Sequence, residues 1–561
     1  MPSDSPFQID IPATDLLTYL FPTSQTASDT PIWIDADDPS NALSPRQLLQ
    51  WVKRLGAGLQ GLGLKSQDVV MVYSHNHIFM PVAYLGIAGS GCIFSGCNPS
   101  YGVEETVYQL RDTECRAILV DPTLLDTLLK AAIKASFPRD RIFLFSDKDH
   151  IGIDGIRGWR SFLPPVSQTD SWTWKLMDAT ESRTTIAALN YSSGTTGVSK
   201  GVMISHQNII ANVEQSIFMR DLEQPYQPHN RPQERWLGFL PLYHAYGQLW
   251  SIAAAARTMS PCYFMRSFNY IKFLEHIQIH QITHIQTAPP VLVMLAKRPE
   301  TDDYDLSSLQ NVLCGAAPLS KELQNEVSVK LKLKVVQTWG MTELTCSCLH
   351  VPGGRDDRSG SVGYIDPNAT IKLIDDEGHE VGPGERGEIH VKGPNVCLGY
   401  WKNDNATRET FDSEGFLKTG DIAIKDENGW HWIVDRKKEL IKVKGFQVAP
   451  AELEALLLEH EHVADAAVCA LQLLTDCVRE HEEHPRAYVA LKSEHRYSSS
   501  EWDIERWIGD RVAKHKQLTG GVVFIDEVPK SPSGKIQRKV LREWANNDAE
   551  YWQKRREGAK L

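Results

Sequence analysis

Nothing in this chain suggests a disulfide framework, a zinc site, a membrane span or a nucleic-acid surface. Ten cysteines are scattered over 561 residues; the tightest pair is Cys346-x-Cys348, and no Cys-x-x-Cys occurs. Such spacing fits reduced thiols better than paired or metal-bound ones. The histidine pairs at 75 and 77 and at 481 and 484 lack cysteine or carboxylate partners at ligand spacing. No apolar run approaches the roughly 20 residues that cross a bilayer. The longest, 81–94 and 252–256, are bounded or broken by Gly, Ser or Arg and predict buried helices. A formal net charge of -12 argues against nucleic acid or an anionic membrane as the main partner. The opening Met1-Pro2-Ser3-Asp4-Ser5-Pro6 has no basic segment leading into an apolar core, so no signal peptide is expected. Internal repeats and low-complexity segments are also missing.

What is present begins with Tyr191-Ser192-Ser193-Gly194-Thr195-Thr196-Gly197-Val198-Ser199-Lys200-Gly201, which follows the apolar Ile186-Ala187-Ala188-Leu189. Glycines let a backbone turn its N–H groups toward an anion, hydroxyls add donors, and a lysine adds charge. The same composition also suits a flexible surface loop. A Walker A loop is excluded, because Lys200 is preceded by Val198-Ser199 and followed by Gly201. A literal Gly-x-Gly-x-x-Gly stands at 382–387, but it follows a polar stretch and leads into an alternating segment. It predicts a hairpin turn, whereas a dinucleotide fingerprint leaves a strand and opens a helix.

The length exceeds one hydrophobic core, so at least two domains are expected. From residue 44 to about 433, helix-like segments (47–62, 270–279, 321–331) alternate with short apolar runs (69–73, 117–120, 142–145, 237–240, 312–314). That alternation predicts α/β architecture with stacked, largely parallel sheets. Past about residue 360 come short strands (371–374, 387–391, 431–434) between Gly/Asp/Asn turns, which predict a β-rich, barrel-like subdomain. The charged Asp435-Arg436-Lys437-Lys438-Glu439 offers nothing to a core and sets a boundary. Beyond it, helices from Pro450 and over 500–514, with strands 466–471, 487–491 and 522–525, form a small α+β unit. The expected division is 1–434, a hinge at 435–438, and 439–561.

Four further segments carry chemistry. Gly315-Ala316-Ala317-Pro318 lets a flat ring approach the backbone. Gln337-Thr338-Trp339-Gly340-Met341-Thr342-Glu343 sets an aromatic, a hydroxyl and a carboxylate close together, suited to a base, a phosphate and Mg²⁺. The carboxylate of Lys418-Thr419-Gly420-Asp421 can accept two ribose hydroxyls. Pro529-Lys530-Ser531-Pro532-Ser533-Gly534-Lys535 is a second Gly/Ser-rich loop ending in lysine. Singly, each has a plain reading as a helix cap, a turn carboxylate or a solvated charge.

Together and in this order, with Pro241-Leu242-Tyr243-His244 and the run from Asp435 to Gly445, they resemble the adenylate-forming superfamily, which includes acyl-CoA synthetases, firefly luciferase and peptide-synthetase adenylation domains. The stretch from Lys438 through Gly445 to Glu454 is most similar to 4-coumarate–CoA ligase-like enzymes. The resemblance implies an ATP-dependent acyl-CoA ligase that forms an acyl-adenylate, releases pyrophosphate and passes the acyl group to coenzyme A. It implies that Ser192, Ser193, Gly194, Thr195, Thr196, Gly197 and Lys200 hold the β- and γ-phosphates. Thr342 and Glu343 would meet the α-phosphate and Mg²⁺. Gly315, Ala316, Ala317, Trp339 and Gly340 would line the adenine, with Asp421 and Arg436 on the ribose, and Lys535 would stabilise the first transition state. His244 would orient the carboxylate or gate the thiol. The acyl pocket would draw on His244, Tyr246, Gly247, residues 288–291, Gly315, Gly340 and Met341. A rotation about Lys437 and Lys438 would withdraw Lys535 and bring Lys444, Gly445 and Phe446 to coenzyme A. Two departures from the family pattern stand out: Trp339 where tyrosine is usual, and Lys437 where leucine is common.

The acid itself is open between aryl acids of the cinnamate or phenylacetate type and medium-chain fatty acids, because apolar pockets discriminate weakly. Loading of a carrier protein in secondary metabolism, a luciferase-like oxygenase and a degenerate nucleotide-binding scaffold are the competing readings. The C-terminal Ala559-Lys560-Leu561 resembles the Ser-Lys-Leu peroxisomal address, so import through its receptor is expected, with the cytoplasm the alternative. A charged excursion is expected over 473–484.

Overall fold

The computed structural model describes residues 3–22, 27–192, 199–443, 446–472, 483–492, 495, 500–531 and 534–558. Two large sheets carry most of the first 365 residues. One has six strands in the order Ile142–Leu144, Ala117–Val120, Val69–Tyr73, Ile93–Cys97, Ile186–Ser192 and Lys200–Ser205. All its pairings are parallel except the last. The other has nine strands, and its central five pairings, from Lys334–Trp339 across to Trp33–Asp35, are parallel. The apolar runs become fully buried strands because both faces of each sheet are covered. Helix Met80–Gly89, whose residues from Met80 to Ala88 are all buried, and helix His206–Asp221 belong to the core shared by the two sheets.

Sequence boundaries shift by a few residues. The run 237–240 pairs only over Trp236–Gly238, and the predicted helix 500–514 stops at Gly509, where glycine favours termination. The segment 252–256 is a helix, but a π-helix over Gln248–Ala254 precedes Ala255–Thr258, which periodicity did not reveal. The β-rich subdomain is a five-stranded antiparallel sheet, Ser3–Asp4, Thr370–Ile374, Arg386–Lys392, Leu417–Lys425 and His431–Arg436. It stays open: Ser3–Asp4 and His431–Arg436 are its two edges. Glycines 382 and 384 lie in the hairpin before Arg386–Lys392, as predicted, with Ile374 opposite Glu388.

Beyond Arg436 the chain builds a three-stranded sheet (Val463–Gln472, Glu483–Leu491, Val522–Ile525), a hairpin (Ile441–Val443, Phe446–Val448) and helices Pro450–Leu458, Glu501–Gly509 and Arg538–Gly558. Its apolar side chains form clusters of their own, and among the described residues only the small group Ile422, Leu440 and Ala449 joins residues from both sides of the charged segment. Most of the expected excursion, 473–482, lies outside the described residues.

Candidate active site

In a parallel sheet the strand carboxyl ends share one edge, and ligands collect there. Four neighbouring strands of the nine-stranded sheet deliver their loops to that edge. Trp236–Gly238 leads to His244, His284–Thr287 to Ala288, Asn311–Cys314 to Gly315, and Lys334–Trp339 to Gly340. Gly340 must be glycine: a Cβ there would stand 2.0 Å from the Cys346 carbonyl oxygen. Ala316 holds a left-handed φ of 71°, costly for a residue with a side chain and typical of a functional turn. The six-stranded sheet reaches the same place through Gly96, where a Cβ would lie 2.8 Å from Tyr243 Cα.

The polar centre is a connected set. Trp339 Nε1 donates to Asp421 Oδ2 at 2.8 Å, and Arg436 Nε lies 3.3 Å from Asp421 Oδ1. Asp421 and Arg436 are cross-strand partners in the antiparallel sheet, so their side chains share a face. Burial raises the Asp421 pKa, opposed by Arg436, Trp339 and Lys535; Asp421 in turn raises that of Arg436. Glu343 is 4% exposed, and its Oε1 accepts from Ser192 Oγ at 3.0 Å and Tyr400 OH at 2.9 Å. Lys200 Nζ sits 4.8 Å from the centre of the Tyr400 ring. Tyr400 is the residue that sequence reading missed; its signal, an aromatic pair after Gly399, has no meaning until Glu343 is placed beside it.

Lys535 comes from the far end of the chain. A Cβ on Gly534 would stand 2.9 Å from Pro290 Cγ, which fixes this loop against the start of helix Pro289–Lys297. Desolvation by the surrounding protein and the Arg436 guanidinium lower the Lys535 pKa, while Asp421 and Glu343 pull it back. The same ammonium acts on His244, whose pKa falls to about 3, chiefly through desolvation. His244 opens the short helix Ala245–Gly247 with its ring 4.4 Å from that of Tyr243. Tyr246 OH donates to the Leu313 carbonyl at 2.9 Å, and its ring lies beside Gly315. Gly247 abuts the Pro241 carbonyl, and Met341 packs on the core behind the site.

Lys437 donates its backbone N–H to Gly420 O at 2.8 Å and sets Nζ 3.0 Å from Asp376 and 3.1 Å from Glu388, while Lys438 is exposed. Phe446 is 55% exposed and stacks on His515 at 4.4 Å, away from the cluster just described. Thr342 starts a 3₁₀ turn next to Glu343, and Ala317 follows Ala316 at the cleft. Ser193, Gly194, Thr195, Thr196, Gly197, Lys444, Gly445 and the tail Ala559-Lys560-Leu561 lie outside the described residues. Among the described residues no three metal-ligating side chains cluster, and no helix is long and apolar enough to cross a membrane.

Comparison with known proteins identifies the family. The AMP-binding enzyme family matches residues 22–401 and its C-terminal domain matches 452–535, so the chain belongs to that family, the adenylate-forming superfamily. It is an enzyme of the acyl-CoA synthetase class. It is 39% identical over 524 residues to the acyl-CoA synthetase ACTT5 of Alternaria alternata, covering 92% of this chain and 88% of that protein. It is 35% identical over 545 residues to the phenylacetyl-CoA ligase epaB of Aspergillus niger, covering 95% and 97%. The ATP-bound crystal structure of MatB from Rhodopseudomonas palustris superimposes with a TM-score of 0.80 at 26% identity, covering 95% of this chain and 99% of that one.

Proposed function

We propose that the chain activates an aryl or medium-chain carboxylic acid with ATP, and that the residues named above divide the work as follows. One acid oxygen attacks the α-phosphorus, the bridging P–O bond breaks, and pyrophosphate leaves with the electron pair. Negative charge grows on phosphoryl oxygens, and Lys535 meets it without rearrangement. Asp421 and Arg436 take the ribose, and Trp339 and the 315–317 turn bracket the base. Lys200 and the 192–197 loop hold the departing pyrophosphate. Neutral His244 offers an imidazole that orients the acid without competing for a proton. Coenzyme A sulfur then attacks the acyl carbon and AMP departs.

Glu343 suits Mg²⁺: its Oε1 is engaged, while no described residue donates to its Oε2. One carboxylate plus substrate phosphates is a usual magnesium environment, and the ion would neutralise phosphate charge there. The separate apolar clusters on either side of residues 435–438 support a hinge at Lys437-Lys438, with Phe446 swinging inward for thioester formation. The tail resembles a peroxisomal address, which supports import into that organelle; a fluorescent fusion with and without its last three residues tests this.

The Trp339–Asp421–Arg436 cluster, with the Gly534–Lys535 loop packed against Pro290, supports the reading. Acid-dependent ATP–pyrophosphate exchange, followed by CoA-dependent AMP release, is the test. If no aryl or straight-chain acid supports exchange, the proposal fails.

A further inference from the structure

Lys437 follows the edge strand His431–Arg436 and turns its polar groups toward the antiparallel sheet. Its backbone N–H donates to the Gly420 carbonyl at 2.8 Å. Its Nζ reaches across the strand Leu417–Lys425 to Glu388 Oε2 at 3.1 Å and Asp376 Oδ1 at 3.0 Å. An ammonium carries three donors, so one lysine can serve two carboxylates at once. Leucine, the commoner residue at this position, has no charge to offer either.

Each carboxylate makes a second bond. Glu388 Oε1 accepts the Gly420 N–H at 3.2 Å. Gly420 has a left-handed φ of 74° and immediately precedes Asp421, so Lys437 and Glu388 hold both sides of the turn that sets the ribose carboxylate. On the other side, Asp376 Oδ2 accepts from Gln447 Nε2 at 3.0 Å. Gln447 stands beside Phe446 in the hairpin of the C-terminal unit, whereas Asp376 lies just after the strand Thr370–Ile374. That bond therefore joins the two units. The junction is also held by the Ala451 N–H on Asp435 and by the apolar group Ile422, Leu440 and Ala449. Lys437 and then Gln447 lower the Asp376 pKa, which keeps this carboxylate charged. A rotation that carries Phe446 inward takes Gln447 with it and breaks its bond to Asp376. Lys437 can stay where it is, because these bonds all run to the sheet.

We propose that Lys437 is a positioning residue that biases the C-terminal unit toward the orientation in which the Gly534–Lys535 loop packs against Pro290. It keeps Asp376 charged and in place for Gln447, and it braces Gly420 beside Asp421. This rests on the acyl-CoA ligase reading with its rotation, and adds what sets the balance between the two half-reactions.

The test compares those half-reactions in the full chain: acid-dependent ATP–pyrophosphate exchange, and thioester formation from supplied acyl-adenylate. Lys437→Leu should lower exchange about two- to fivefold, the range open to a partly exposed ion pair, without slowing thioester formation. Lys437→Arg keeps the charge and should restore most of the exchange. The Lys437 and Asp376 side chains are 38% and 55% exposed, so salt screens their pairing. Raising ionic strength from about 0.05 to about 0.5 M should lower exchange relative to thioester formation in the wild type, and leave that ratio nearly constant in Lys437→Leu. Asp376→Asn, a change at an exposed position, removes the same charge pair and keeps the proposal testable if Lys437→Leu does not fold; it should show the same selective loss. Equal slowing of both half-reactions in these variants, or no change in either, overturns the proposal. A wild type that shows no exchange with any acid defeats the ligase reading and this inference together; exchange without the selective loss defeats only the inference.

Discussion

Trp339 and Asp421, 82 residues apart, share a 2.8 Å hydrogen bond from indole to carboxylate. The bond ties the end of a parallel strand to the open antiparallel sheet, and it holds Asp421 with one oxygen on Trp339 and the other toward Arg436. Tyrosine, the more usual residue, could not donate from a ring nitrogen. Trp339→Phe should therefore keep a flat face for adenine but free Asp421 to turn. Hydrogen bonds to charged groups contribute about 1.5–3 kcal/mol, so KM for ATP should rise roughly tenfold or more. Steady-state kinetics at saturating acid measure this, and an unchanged KM would make the bond a bystander.

Lys535→Ala should separate the two half-reactions. Removing a preorganised charge from the transition state costs about 3–4 kcal/mol, so ATP–pyrophosphate exchange should fall about 10²- to 10³-fold. Thioester formation from supplied acyl-adenylate should stay within a few-fold.

His244 should be silent in pH profiles. With its pKa lowered to about 3, the imidazole is neutral throughout the working range. The wild type and His244→Gln should differ in rate but show the same profile shape from pH 5 to 8. A limb near pH 6.5 present only in the wild type would contradict the assignment.

Glu343→Gln preserves the shape that accepts from Ser192 and Tyr400 but removes the charge. Thermal stability should change little, while the Mg²⁺ concentration needed for half-maximal exchange should rise by about tenfold or more. Magnesium titration of both proteins decides the point.

Asp435 is 2% exposed at the charged boundary and accepts from the backbone of Arg436 and of Ala451 in the C-terminal unit. Burial raises its pKa to about 6, with Arg538 opposing. Because the folded pKa exceeds the ordinary value near 4, the folded state favours the protonated form. Its stabilising effect is complete below about pH 4 and is lost as pH rises through about 6. Asp435→Asn should thus gain stability relative to wild type between pH 4 and 7, as denaturant midpoints would show.

Much of this was readable from residue order. The apolar runs at 69–73 and 117–120 and the glycine turn at 382–387 follow from local composition, because burial and turn geometry are local demands; that Asp435 is buried in the charged stretch 435–439 did not. The N-terminal strand Ser3–Asp4 was not readable, since two residues carry no periodicity and take their place only from Thr370 and Ile371. Tyr400 escaped because its partner Glu343 lies 57 residues away, and so did the reciprocal amide bonds of Asn190 and Gln248, at 2.9 and 3.0 Å, that lock the π-helix to the strand Ile186–Ser192.

By itself the sequence determined which chemical groups this protein owns, in what order, and that they resemble an adenylating ligase. Motif residues are close in the chain, and their chemistry survives without coordinates. Only the tertiary structure decided that Trp339 and Arg436 hold Asp421, that Ser192 and Tyr400 hold Glu343, and that the Gly534–Lys535 loop packs against Pro290. These groups come from segments far apart in the chain. Packing two sheets and a separate C-terminal unit against one another brings them within reach, and no local pattern encodes that distance.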